Sequence, residues 1–421
     1  MQTPASGSAP VDIMDSDAGT ALANRKAILL VLTREIPAAP NSGRERTLSF
    51  IQRALASRYE VSNFVLSSVA HSPRPARCVG VLSRLLRGWL QHQTCPLQVA
   101  MFFHHRGLAL LFNTIEASHA ETVYFDSVRS VDWLIATRAQ FPKLRLICDF
   151  DDLMSLRFER LLERKLPISL GYLESVTPRW LQGFLKRGAV AQMTLNYEAH
   201  SLRIFEKLAA EAADAVSVVS TADADNLRAN VGPVLAGKIR VIPPGVGFPC
   251  PSIRTHVCRE FFFVGSDSLL QNRLTIEFLV DLWATMSPDI PLRIIGRMVK
   301  RYRHCDGVTF VGFVPDISSV YGDDRIALCP SFIEGGIKTK VLEALGHGVI
   351  PVGNALTFEG MGCDPGCLAM TDDEIRSLIV NPEPMIGPLR EAATQLRACV
   401  HQRYSFESVA QEWSRLVSGE G

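Results

Sequence analysis

The stretch Ser331-Phe332-Ile333-Glu334-Gly335-Gly336-Ile337-Lys338-Thr339-Lys340-Val341-Leu342-Glu343-Ala344-Leu345 constrains the fold of this chain more than any other. A short apolar strand, Ile326 to Cys329, runs into a glycine pair, and the pair opens a helix with Val341, Leu342 and Leu345 on one apolar face. Gly346 and Gly348 end that helix, and Val349 to Val352 begins another strand. Strand, glycine turn, helix and strand in succession are the unit of an α/β domain. The same junction has chemistry. It presents free backbone N–H groups at the positive end of a helix dipole, which suits a phosphate. Lys338 and Lys340 add mobile positive charge, and Glu343 lies on the same short helix. The combination reads as a site for a nucleotide diphosphate.

The rest of the chain repeats this grammar. Ala27 to Thr33 is a continuous apolar strand, followed by a loop (Glu35 to Arg44) that contains three prolines, Ser42 and Gly43. Leu48 to Leu55 reads as a helix and Glu60 to Leu66 as a strand. Gln98 to Phe103, Thr122 to Phe125 and Leu144 to Cys148 read as further strands, with helices at Gly107–Ala117 and Ser130–Gln140. A long helix, Gln192 to Ala213, precedes the strands Ala215–Val219 and Ile239–Ile242. Pro243 to Pro251 is a proline- and glycine-rich break, the best linker in the chain. Beyond it, strands at Phe261–Val264, Leu292–Ile295 and Val308–Val311 each end in glycine. Strands that end this way line a crevice at their carboxyl ends, where open α/β sheets bind ligands. Leu389 to Leu416 is helical, with a bend at Tyr404-Ser405-Phe406. The alternation predicts parallel sheets covered by helices.

Bulk properties narrow the class. A chain of 421 residues implies two domains. Hydrophobic residues at 47% and charged residues at 21% make it globular. A net charge of +1 argues against bulk electrostatic binding of nucleic acid. No apolar run reaches the ~18–20 residues that span a bilayer. Met1 to Asn24 is polar, lacks the basic start and apolar middle of a secretory signal, and reads as a disordered tail (residues 1–24). The ten cysteines are scattered, several inside apolar runs, which predicts reduced thiols in a cytoplasmic protein.

The motifs, taken in order, resemble the retaining glycosyltransferases of family 4, the group 1 nucleotide-sugar transferases with the GT-B fold. Val241-Ile242-Pro243-Pro244-Gly245-Val246 resembles the interdomain "V-I-P-N-G-V" segment, and Phe262-Phe263-Val264-Gly265 the "F-V-G" strand. Leu292-Arg293-Ile294-Ile295-Gly296 resembles "L-x-I-x-G", and Val311-Gly312-Phe313-Val314 resembles "F-x-G-x-V". The strongest match is Gly336 to Leu345 followed by Gly348-Val349-Ile350-Pro351-Val352. Asp149 to Arg157 and Pro96-Leu97-Gln98-Val99 resemble the bacterial exopolysaccharide and capsule subgroup. Two departures stand out. Family members space two glutamates by seven residues, whereas eight lie between Glu334 and Glu343, so Gly335 takes the first position. Members also carry Arg and Lys after the "F-V-G" strand, whereas Ser266, Asp267 and Ser268 stand here and Arg273 is the first basic residue.

The resemblance implies an α/β GT-B architecture. Residues 25–245 would form an acceptor-binding Rossmann-like domain and 250–395 a donor-binding one. Residues 396–421 would form a helix crossing back to the first. It also implies hexose transfer from a nucleotide sugar to a hydroxyl of a saccharide acceptor, often lipid-linked, with retention. The nucleotide sugar is a co-substrate, and no separate cofactor or metal is expected. A nucleotide-sugar epimerase of the same fold, or a non-catalytic nucleotide-sugar-binding protein, are the alternatives.

By the resemblance, Glu343 accepts hydrogen bonds from the ribose, and Gly265, Gly335, Gly336 and Ile337 lie against the donor. Lys338 and Lys340 sit at a helix N-terminus, where the dipole disfavours cations. Such a local conflict marks a site, and both lysines are assigned to catalysis. Arg297 follows a strand-ending glycine and faces base or diphosphate. Gly43 is the loop glycine that approaches the donor phosphate. Asp126 and Arg129 follow the fourth strand, where relatives place a polar residue, often His, on the transferring sugar. Asp149, Asp151 and Asp152 read as a helix N-cap cluster rather than a metal site. Finally, Val81, Leu82, Leu85, Leu86, Trp89 and Leu90 form an apolar helical stripe opposite Arg84, Arg87 and Gln91. That pattern suits either the core or a helix at the inner membrane surface.

Overall fold

A computed structural model describes residues 25–38, 43–66, 84, 94–103, 105–163 and 188–420. Its first half is a six-stranded sheet in the order β2-β1-β3-β4-β5-β6, and every pairing is parallel. The strands are β1 (Ala27–Leu32), β2 (Glu60–Val65), β3 (Ala120–Asp126), β4 (Arg145–Asp149), β5 (Ala215–Val218) and β6 (Ile239–Val241). The second half is a five-stranded parallel sheet in the order β11-β10-β7-β8-β9. It comprises β7 (Glu260–Val264), β8 (Leu292–Ile295), β9 (Val308–Gly312), β10 (Arg325–Leu328) and β11 (Ile350–Val352).

β1 shows why an unbroken apolar run folds here as a strand. Alternate side chains point to opposite faces of a sheet. Leu29 and Val31 enter one core, with Val123, Phe125, Leu146 and Cys148. Ile28, Leu30 and Leu32 enter another, under α1 (Gly43–Ala56), with Leu48, Ile51 and Leu55. Both faces are covered, so no polar alternation is left to read. The second sheet has its own core, centred on Phe261, Phe262, Phe263, Trp283, Val341 and Leu345.

Between β2 and β6 lie α2 (Leu97–Ala100), α3 (His105–Ala117), α4 (Val131–Gln140), α5 (Met154–Glu163), α6 (Gly188–Ala212), α7 (Thr221–Val231) and α8 (Pro233–Ala236). The second half carries α9 (Leu270–Met286), α10 (Thr339–Gly346), α11 (Asp372–Val380) and α12 (Glu383–Tyr404). The chain breaks at Ser405, whose extended backbone and hydroxyl cap α13 (Phe406–Ser418) through the N–H of Ser408. α13 lies on the first sheet, where Trp413 packs edge-on against Tyr124 and Phe406 stacks on Phe50. No helix among the described residues is long and apolar enough to cross a membrane.

Three expectations are corrected. Gln98 to Phe103 is not a strand: α2 occupies Leu97–Ala100, and the Leu97 N–H donates to Glu198 Oε1 at 2.6 Å. β3 is flanked by β1 and β4, so the sheet has no slot there, and a short fully buried helix shows no polar face by which to tell it from a strand. β3 is therefore the third strand, not the fourth. Gly43 is not in a loop but is the first residue of α1. The cysteines are not all thiols: Cys363 is bonded to Cys399, with Cα atoms 6.1 Å apart, while the other seven described cysteines are free.

Candidate active site between the two sheets

The two halves meet through segments that follow the carboxyl ends of their strands. The loop from β10 to α10 is the centre of the site. Gly335 and Gly336 have φ of +90° and +61°, the left-handed region that glycine enters at low cost. The pair reverses the chain, and the helix starts later than the sequence suggested, at Thr339 with Lys338 in the capping position. The Gly335 N–H donates to Glu359 Oε2 at 3.0 Å, and Lys338 Nζ donates to Gly335 O at 2.6 Å. Ile337 packs against the second core.

The two lysines differ in surroundings. Lys340 Nζ donates to Asn272 Oδ1 at 2.8 Å and lies 4.2 Å from the centre of the Phe263 ring. Burial pushes its ammonium pKa down to about 8. For Lys338 burial also lowers the pKa, and the cations Arg157 and Arg160 add to that, against Glu359 and Asp152. Asn272 in turn holds the β7–α9 turn, its Nδ2 donating to Ser266 O at 3.0 Å. At that turn a Cβ on Gly265 would lie 2.7 Å from the Asn272 amide carbon. A Cβ on Gly296 would lie 2.4 Å from Gly265 O. The two glycines thus let strands β7 and β8 close up at their ends. Arg297 is exposed, its guanidinium 5.1 Å over the Phe313 ring. Asp267, where basic residues were expected, is buried and accepts from the N–H groups of Val299 and Lys300 and from the Tyr302 hydroxyl.

Glu343 reaches the other half of the molecule. Its carboxylate accepts from Arg46 on α1 at 2.6 Å and from the Tyr321 hydroxyl at 3.3 Å. A cavity of about 600 Å³ opens beside this pair, lined by Gly43, Phe50, Gly245, Thr339 and His347 among others.

In the first half, the carboxyl ends of β3 and β4 surround Arg44. Its guanidinium contacts Asp126 at 2.5 Å, Asp149 at 2.8 Å and Asp151 at 3.3 Å. Burial alone would lower the Arg44 pKa, but the three carboxylates outweigh it and hold it raised. Asp126 is fully buried and also binds the N–H and hydroxyl of Thr33. Burial opposes its ionisation, yet Arg44 and Thr33 keep its pKa lowered. Asp126 was expected at the transferring sugar; in this structure its oxygens bind Arg44 and Thr33. Arg129 donates to Gln98 Oε1 at 2.9 Å and to Ser127 Oγ at 3.3 Å, so it ties α2 to the sheet.

Two residues past the end of β4, whose last residue Asp149 is in register with Asp126, stands Asp151. It has φ of +62°, its side chain is 35% exposed, and burial pushes its pKa up to about 6 against the pull of Arg44, with Asp152, Asp149 and Asp126 adding to the rise. Its neighbour Asp152 pairs with Arg157 on α5. One turn on, Arg160 Nε lies 3.4 Å from Glu334 Oε2, across the cleft. Sequence reasoning missed Arg46, Arg160, Asn272 and Glu359. Arg157, at the end of the Asp149–Arg157 segment, was the one local signal. Among the described residues no group of three or more His, Cys, Asp and Glu side chains is arranged to hold a metal ion. The apolar stripe of Val81 to Leu90 lies outside the described residues. Arg84, which is described, pairs with Asp132 at 2.8 Å and is largely buried, so it is not a charge facing lipid.

Comparison with known proteins follows the same lines. Residues 258–379 match the family model described as glycosyl transferases group 1. No curated protein matches the sequence. The structure is similar to sucrose-phosphate synthase from Thermosynechococcus elongatus, with 16% identity, 94% of this chain and 99% of that chain covered, and a TM-score of 0.60. It is also similar to Anabaena HepE in complex with UDP-glucose, with 15% identity, 93% and 99% covered, and a TM-score of 0.60. A third similar structure is the lipopolysaccharide outer core galactosyltransferase WaaB, with 12% identity, 94% and 100% covered, and a TM-score of 0.55. The fold is GT-B, two parallel α/β halves facing a cleft.

Proposed function

We propose that this protein transfers a hexose from a nucleoside-diphosphate sugar to a hydroxyl of a saccharide acceptor, with retention at the anomeric carbon, as a step in building an exopolysaccharide. The observation that carries the reading is the β10–α10 loop. It combines a left-handed glycine pair, two lysines with depressed pKa values and Glu343 beside a cavity of about 600 Å³. The cavity is of a size that suits a nucleoside, and Glu343 is placed to bind the ribose. The complex of HepE with UDP-glucose and the group 1 domain support a nucleotide-sugar donor.

The chemistry is electrostatic. The bond from the anomeric carbon to the diphosphate breaks with its electron pair on the diphosphate, and the loop N–H groups and lysines stabilise that charge as it develops. The acceptor oxygen forms the new bond to the anomeric carbon and gives its proton to the departing diphosphate oxygen. Asp151, two residues past β4 and with a partly exposed side chain, is the carboxylate this reading turns to the transferring sugar. Closure of the halves excludes water and limits hydrolysis. The acceptor is a lipid-linked saccharide, and the protein works in the cytoplasm at the inner face of the membrane.

The test is incubation with radiolabelled UDP-, GDP- and TDP-sugars. A transferase releases free sugar and nucleotide slowly to water. A new nucleotide sugar would show an epimerase, and no product despite binding would show a binding protein; either outcome overturns the reading. In excess EDTA the activity persists. Loss restored by Mn²⁺ would assign a metal to Asp149, Asp151 and Asp152.

A further inference from the structure

The resemblance implies a basic pair after the first donor-half strand, and Ser266, Asp267 and Ser268 stand there instead. Asp267 is buried, with its carboxylate spent on Val299, Lys300 and Tyr302. A nucleoside diphosphate still needs its charge met, and the opposite half has the groups to do it. Arg160 on α5 reaches across the cleft to Glu334 at 3.4 Å. A Cβ built on Gly335 would lie 2.7 Å from Arg160 Nη1, so the guanidinium lies against Gly335. Its side chain is only 14% exposed. Arg157, on the same helix, stands with Arg160 close enough to Lys338 for both to lower its pKa in addition to burial. Three cations from two halves therefore converge on one loop.

We propose that Arg160 is a donor-binding residue, contributed by the first half, whose guanidinium binds the diphosphate at the Gly335-Gly336 loop in place of the absent basic pair. The proposal rests on the donor-site reading above. A guanidinium offers two parallel N–H donors to a phosphate, where a lysine offers a point charge. Glu334 holds that fork over the loop, and on binding the phosphate oxygens take the donors facing the glycines. Placing this cation on the opposite half makes the diphosphate a further bridge between the halves, beside the ion pairs that already join them.

Calorimetric titration of the full chain with UDP, GDP and TDP, and with the corresponding monophosphates, tests this. Arg160→Gln should weaken the best-bound diphosphate by about ten- to a hundredfold, with the monophosphate changed far less. Arg160→Lys should recover part of the loss. Glu334→Gln, which removes the ion pair but leaves the guanidinium, should bind the diphosphate as well as the unmodified chain or better. Unchanged diphosphate binding in Arg160→Gln overturns the proposal. So does an equal loss in Glu334→Gln, because Arg160 would then act only through its ion pair. Failure of the unmodified chain to bind any of the three diphosphates overturns the donor-site reading itself. Thermal melting of each variant separates loss of binding from loss of fold.

Discussion

Lys340 is the residue whose environment says most about how the site works. Its ammonium bonds a neutral amide, Asn272, and rests on an aromatic ring, so burial lowers its pKa to about 8 with no carboxylate bonded to it. A diphosphate anion near it stabilises the charged form and raises that pKa. The bound state then holds more protons than the free state above about pH 8, so donor affinity should be full below that pH and fall as pH rises through it. For one proton the limit is about tenfold per pH unit. Lys340→Ala should weaken nucleoside-diphosphate binding by about ten- to a hundredfold and flatten the pH dependence. Titrations across neutral to alkaline pH read both effects, and a flat profile in the unmodified chain would place Lys340 outside the donor field. Asp151 gives a second residue-level outcome. Its φ of +62° is one that glycine and asparagine adopt readily. Asp151→Gly and Asp151→Asn should therefore keep the melting temperature within a few degrees and lose at least about tenfold in turnover. Full turnover in both would leave Asp151 a turn residue only.

At the scale of elements, the loop after β11 links catalysis to the disulfide. Phe358 to Cys363 carries Glu359, which holds the Gly335 N–H, and the loop is tied to α12 by three bonds: Cys363–Cys399, the Arg403 guanidinium to Gly362 O, and the Tyr404 hydroxyl to Met361 O. The disulfide closes a loop of sequence separation 36, which contributes about 2–4 kcal/mol by restricting the unfolded chain. Reduction with a dithiol, or Cys363→Ser, should lower the melting temperature of the protein by roughly 2–5 °C. Equal melting with and without reductant would show that the bond does not form in solution. Elements differed in how far the sequence exposed them. α10 was readable because its apolar stripe and glycine pair are local signals. The bend between α12 and α13 was readable because Ser405 is a cap by chemistry. α2 was not, because complete burial erases the polar face that marks a helix.

For the whole molecule, the question is what holds the halves and where they work. Arg46–Glu343 and Arg160–Glu334 join them across the cleft. Both pairs put an arginine on a carboxylate of the donor motif, so a donor that engages Glu343 must rearrange the first pair. If the acceptor is lipid-linked, the protein should co-sediment with anionic vesicles at low salt and release as salt rises, because surface attraction is screened. Arg84 is held by Asp132, so the substitution that probes this contact is Arg87→Glu, which should weaken sedimentation and leave nucleotide binding unchanged. A protein that stays in the supernatant at low salt would place the Val81–Leu90 stripe in the core.

By itself the sequence determined the parallel α/β class and the position of the glycine turn that precedes α10. Each is written in neighbouring residues: apolar runs of strand length, glycines at strand ends, lysines beside a helix start. What only the tertiary structure decided are the partners. Arg46 and Glu343 are 297 residues apart, and Arg44 meets Asp126 and Asp149 over 82 and 105. Asp126 looked like a free acid at a strand end and proved to be the counterion of a buried arginine. Cys363 found Cys399 only when α12 folded back over its loop. Local sequence carries the periodicity of an element because neighbouring side chains share its geometry. It carries no trace of which charge will face which across a cleft, because that is set by how the two sheets dock.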